Sequence, residues 1–187
     1  LVQGIPNGHR RLLSAYNGGA INPGDRELVF DVFSEPEGEQ EALLRFMYDG
    51  LVVSAGPEVL PDWGEVGRGE TPCHVALTWD DGLVHLYFQG RCVARGGSAG
   101  KGSLTLALGD VLFGEDYPPA SLDNEPFLGV LDDLLVLHRA LSDEEMVRLA
   151  TAGAGFLKED AAGGVLYTME TDEGNSLSDS LTADGAG

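Results

Sequence analysis

Residues 74–95 read as three strands in immediate succession, and that run restricts the chain to folds made chiefly of antiparallel sheet. The segments 74–79, 83–88 and 91–95 are rich in Val, Leu, Tyr, Phe and Trp, the residues that suit a pleated, half-buried surface. Asp80-Asp81-Gly82 and Gln89-Gly90 separate them. A Gly at the second turn position supplies the positive φ that a tight hairpin requires. Three strands joined this way pair with their neighbours in order, with no crossover.

The rest of the chain extends the pattern. Residues 9–16 form a strand entered from a Gly/Pro/Asn turn, and residues 27–33 form a second strand with a fully apolar face at Leu28, Phe30 and Val32. Residues 42–48 and 51–55 flank Asp49-Gly50, a further hairpin signal. Residues 104–108 are a strand, and 129–137 are a nearly continuous apolar strand interrupted by Asp132 and Asp133. Two long loops remain, 56–72 with Trp63 in its middle and 109–125, of a length that is usually either functional or disordered. Residues 96–102 read as a flexible loop.

One helix is expected, beginning at Ser142. Ser142 and Glu145 form a capping box, Asp143 and Glu144 suit the positive end of the helix dipole, and Gly153 is a natural stop. The predicted class is therefore all-β: a two-sheet antiparallel β-sandwich of jelly-roll type with one short helix. With 187 residues the chain suits one well-buried domain. That domain is expected over 1–155. Residues 156–187 are read as a tail.

Charge narrows the partners. The chain carries 31 acidic and 11 basic residues, a net −20, so phosphate-rich nucleic acid is excluded as a partner. The acidity suits a heavily hydrated surface or, more sharply, a positively charged partner, most simply Ca²⁺ held by oxygen ligands. No apolar run reaches the roughly 18 residues that span a bilayer, so membrane insertion is not expected. Cys73 and Cys92 lie on strands that flank a third, about 9–10 Å apart, so two free, buried thiols are expected rather than a disulfide.

The runs 74–90, 127–133 and 138–145 together resemble, in the right order, the core hairpins, the "F-x-G-x-I-D-D" strand and the "R-A-L-S-x-x-E" helix entry of laminin-G-like, concanavalin A-like lectin/glucanase domains. Cys73 and Gln89 depart from that pattern, standing where the family often has Trp and Asp. The family's opening "D-x-S-G" strand is missing from the N-terminus, and a segment like it occurs at 166–180, so the resemblance implies that the tail 156–187 either supplies the closing edge strand, within the chain or by exchange with another copy, or begins a second module. The resemblance implies a Ca²⁺ with a structural role, held by Asp132 and by Asp179 if the tail folds back. Asp123 and Asn124, in an acidic cluster with Asp116 and Glu125, are further candidate ligands.

Catalytic patterns are missing from the sequence. The related glycoside hydrolases carry carboxylates two residues apart on one strand, whereas the adjacent Asp132 and Asp133 point to opposite faces. No Gly-x-Ser-x-Gly or His-Glu-x-x-His occurs. The expectation is no enzyme but a binding module of a larger exported or cell-surface protein, recognising a glycan or a surface protein with support from Ca²⁺. Trp63 and Tyr117, on the long loops, are the candidate sugar-stacking residues, with Arg10 and Arg11 as contacts for acidic sugars. The alternative is a structural or adhesive spacer with no small ligand.

Overall fold

The computed structural model describes residues 2–3, 8–16, 27–34, 42–60, 72–104, 111–114, 130–131, 133–154, 157, 164–168 and 178–179. Within them the chain is mostly strand, with a short 3-10 turn at Pro57–Val59 and one α-helix, α1 (Asp143–Ala152). The larger sheet contains β2 (Gly8–Tyr16), β3 (Glu27–Ser34), β4 (Ala42–Tyr48), β5 (Leu51–Ala55) and β9 (Val111–Phe113). Its order is β5-β4-β3-β2-β9, antiparallel throughout. The smaller sheet is the predicted meander, β6 (Val75–Asp80), β7 (Leu83–Phe88) and β8 (Arg91–Gly97).

Local chemistry explains the hairpins. Asp49-Gly50, Asp81-Gly82 and Gln89-Gly90 all have positive φ at both positions, between 46° and 95°, as the type I′ turn demands. Gln89 is the least suited to this conformation, which costs a non-Gly residue about 1–2 kcal/mol. It is held there by His74: the Gln89 amide donates to the His74 carbonyl at 2.8 Å, and Gln89 Oε1 accepts from the His74 amide at 3.1 Å.

The inner faces of the two sheets share one core. Leu28, Phe30 and Val32 on β3 and Leu44 and Phe46 on β4 meet Val84, Leu86 and Phe88 on β7. Each such side chain contributes about 1.5–3 kcal/mol when fully buried. At one edge β5 passes close to β8: a Cβ built on Gly96 would lie 2.5 Å from Cγ2 of Val53, so only a hydrogen fits. Trp79 packs edge-on against Phe46 and Tyr48 and donates its indole N–H to the Gly102 carbonyl at 2.8 Å.

A second, smaller core lies on the opposite face of the smaller sheet. Tyr87, Leu141 and Met146 are buried there, with Ala76, Cys92, Leu137, Leu149 and Leu157 around them. Helix α1 begins as predicted. The Ser142 hydroxyl accepts from the Glu145 amide, the Glu145 carboxylate accepts from the Ser142 amide, and Gly153 closes the last turn. The helix sits on the Gln89-Gly90 turn, where a Cβ on Gly90 would come 2.9 Å from Ala150 Cβ and 3.0 Å from Val147 Cα.

Several expectations change. The apolar stretch 129–137 is not one strand but two, β10 (Val130–Leu131) and β11 (Leu134–Leu137). Asp133 between them has φ 51°, a left-handed conformation that Asp tolerates better than most residues and that an apolar count cannot reveal. β10 pairs with β1 (Val2–Gln3), while β11 pairs with β12 (Gly164–Thr168), which in turn pairs with β13 (Ser178–Asp179). Of residues 96–102, expected to be a flexible loop, 96–97 end β8 and the rest is fastened to the Asp81-Gly82 turn: Asp81 accepts from the amides of Gly100 and Gly102, both at 2.8 Å. Both cysteines are free, as expected, but only Cys73 is buried. Cys92 is half-buried because it lies on the outer face of the smaller sheet. The strand expected at 104–108 lies outside the described residues beyond Leu104.

Candidate functional site

Two polar constellations stand on the outer faces of the sandwich. On the larger sheet, register places Arg11 of β2 and Arg45 of β4 directly opposite Asp31 of the intervening β3. Asp31 is fully buried and accepts from Arg45 through both oxygens, at 3.0 Å from Nε and 2.6 Å from Nη2. Arg11 Nη1 adds a third bond at 2.9 Å. Burying a carboxylate without compensation is expensive, and two guanidiniums supply that compensation. The pairing braces β2, β3 and β4 to one another across the larger sheet.

The second constellation lies where α1 meets the smaller sheet. His85, Tyr87 and Cys92 project from the face opposite the main core, and Asp143 reaches down from the first turn of α1. The buried Tyr87 hydroxyl donates to Asp143 Oδ1 at 2.8 Å and lies 3.2 Å from His85 Nδ1. Burial, followed by the bond to Asp143, pushes that hydroxyl up from 10.0 to about 12. Arg95 closes the outer side, with Nε 3.2 Å from Cys92 Sγ and Nη2 2.9 Å from Asp143 Oδ2. Its guanidinium is held above its ordinary value, first by the bond to Cys92. Ligand atoms of His85, Cys92 and Asp143 all lie within 4.8 Å of one another.

Sequence reading did not pick out this group. The two-residue turn at Gln89-Gly90 dictates that Tyr87 faces Cys92, and that much was legible. A bulge then shifts the register between Leu86 and Tyr87, so Leu86 pairs with Ala94 and His85 with Arg95. Val93 and Ala94 both pack toward the main core as a result, and Arg95 returns to the outer face. A strict alternation would have put Ala94, not Arg95, opposite His85.

The expected site residues fall differently. Trp63, Tyr117, Asp123, Asn124 and Asp132 lie outside the described residues. Arg11 is placed in the ion pair with Asp31, its side chain 15% exposed. Arg10 is described in its backbone alone, in register with Val32. Asp179 is likewise described in its backbone. It pairs with Tyr167, which pairs with Leu134, so β12 stands between Asp179 and the start of β11.

Comparison with known proteins gives one match. Residues 55–146 match the family model described as the Concanavalin A-like lectin/glucanases superfamily, of laminin G type. No curated protein and no solved structure matches the chain. The matched stretch contains the meander, the split strand and the capped start of α1, and β2 to β5 supply the facing sheet. Residues 55–146 are thus similar to the concanavalin A-like lectin/glucanases superfamily, and the antiparallel two-sheet fold is consistent with the sandwich of that group.

Proposed function

We propose that the chain is a non-catalytic recognition module of a larger extracellular or cell-surface protein, binding a glycan or a surface partner with Ca²⁺ in support. The family match carries this reading, because laminin-G-like domains are generally binding modules and typically extracellular. Asp31 supports the non-catalytic part: it is the one fully buried carboxylate among the described residues, and two arginines engage it. No helix among the described residues is long and apolar enough to cross a membrane. The net charge of −20 favours a cation as bridge or brace.

A glycan array of the full chain, run in Ca²⁺ and again in chelator, tests the reading. Retention of a glycan class, lost in Trp63→Ala, is the expected result, with a melting midpoint that falls when Ca²⁺ is removed. No retained glycan together with an unchanged midpoint would transfer the chain to the structural or adhesive spacer class.

A further inference from the structure

We propose that His85, Cys92 and Asp143 form a binding site for a borderline-soft divalent cation of the Zn²⁺ class, separate from any Ca²⁺ site. The donor set is one imidazole nitrogen, one thiol sulfur and one carboxylate oxygen, mutually within 4.8 Å. Tetrahedral Zn²⁺ takes these three ligand types at about 2.0–2.3 Å, which places donors roughly 3.3–3.8 Å apart. Side-chain movements of about 1 Å close the gap. A hard cation such as Ca²⁺ prefers oxygen alone, so sulfur and nitrogen select against it.

The surroundings favour the same reading. Tyr87 fixes two of the donors at once, donating to Asp143 and contacting His85, and it is itself fully buried. Outer partners of this kind orient metal ligands and strengthen binding. The thiol and the carboxylate already share a cation, since the Arg95 guanidinium bridges Cys92 Sγ and Asp143 Oδ2. Arg95 is 59% exposed and anchored only at its tip, so it can swing into water and yield its place. Metal and Arg95 therefore compete for the same two donors. The rigid parts, two strands of the meander and the capped first turn of α1, hold the three ligands whether or not the cation is bound.

Binding exchanges the thiol proton for a sulfur–metal bond and releases that proton to solvent. The test uses the full chain with Zn²⁺, Co²⁺ and Ca²⁺ salts alone. Zn²⁺ should slow alkylation of Cys92, followed by peptide mass, at least tenfold, and Ca²⁺ should not. Co²⁺ should give a sulfur-to-metal absorption band that Cys92→Ser abolishes. Zn²⁺ affinity should fall at least tenfold in His85→Ala and rise in Arg95→Met, which removes the competing charge. A Cys92 alkylation rate indifferent to saturating Zn²⁺ would overturn the proposal, as would Zn²⁺ affinity unchanged in a folded Cys92→Ser. The alkylation measurement needs no variant, so a misfolded mutant leaves the proposal open to refutation.

Discussion

Arg45 grips Asp31 through both carboxylate oxygens, at 3.0 Å and 2.6 Å, from the neighbouring strand of the larger sheet. The partners are direct neighbours in register, so no loop has to move for the pair to form. Its strength is conditional. Two charges withdrawn from water repay their desolvation only while every partner remains in place.

Truncating one partner should therefore be costly. Arg45→Ala is expected to lower unfolding free energy by about 3–5 kcal/mol, because it withdraws a two-point partner from a buried carboxylate. Replacing Arg11, Asp31 and Arg45 together with apolar residues of similar volume should cost far less. Urea denaturation of the single and triple variants measures the contrast, and equal losses would show that the row acts through packing alone.

Tyr87 makes stability sensitive to alkali. Its hydroxyl ionises at about 12 in the fold against 10.0 in the unfolded chain, so its contribution is complete below pH 10 and is lost as pH rises through 12. Tyr87→Phe should remove that dependence and lower stability at neutral pH by about 1–3 kcal/mol, through the lost bond to Asp143. Urea midpoints of both proteins between pH 8 and 11 should converge as pH rises (the range is set by the ordinary phenol value of about 10).

His74 gives the opposite dependence. Desolvation lowers its value from 6.5 to about 4, so the folded chain refuses a proton that the unfolded chain accepts between those values. Stability due to this group is intact above pH 6.5, falls as the pH drops toward 4, and levels off below that. His74→Gln should flatten that limb by at most about 3 kcal/mol relative to the native chain. Parallel curves for the two proteins over that interval would rule the group out as the cause.

Gly90 should not tolerate a side chain. Its φ of 75° disfavours any other residue, and an added Cβ would press on Val147 and Ala150 of α1. Gly90→Ala is expected to cost about 1–3 kcal/mol. Gly50→Ala, with a φ of 76° but open space around it, should cost less. The difference between the two melting midpoints isolates the helix contact.

These comparisons also mark what the sequence makes legible. Turn chemistry is local, so Asp49-Gly50, Asp81-Gly82 and Gln89-Gly90 announced three hairpins, and Ser142 with Glu145 announced α1. The two-sheet class followed from the hairpins and from the many expected strands set against a single expected helix. The break at Asp133 was hidden because a single left-handed residue leaves the apolar count unchanged. The group around Cys92 was hidden for a different reason. It combines a bulge on β8 with a carboxylate 51 positions further along the chain, and pairwise alternation encodes neither.

The distribution of the main core has a practical consequence for anyone who excises this module. Leu12, Leu28, Phe30, Val32, Leu44 and Phe46 all precede residue 55, while the family match runs from 55 to 146. A fragment trimmed to the recognisable stretch would keep the meander yet turn Val84, Leu86 and Phe88 toward water. Such a fragment should precipitate or self-associate, because the unit that folds is longer than the unit that can be recognised.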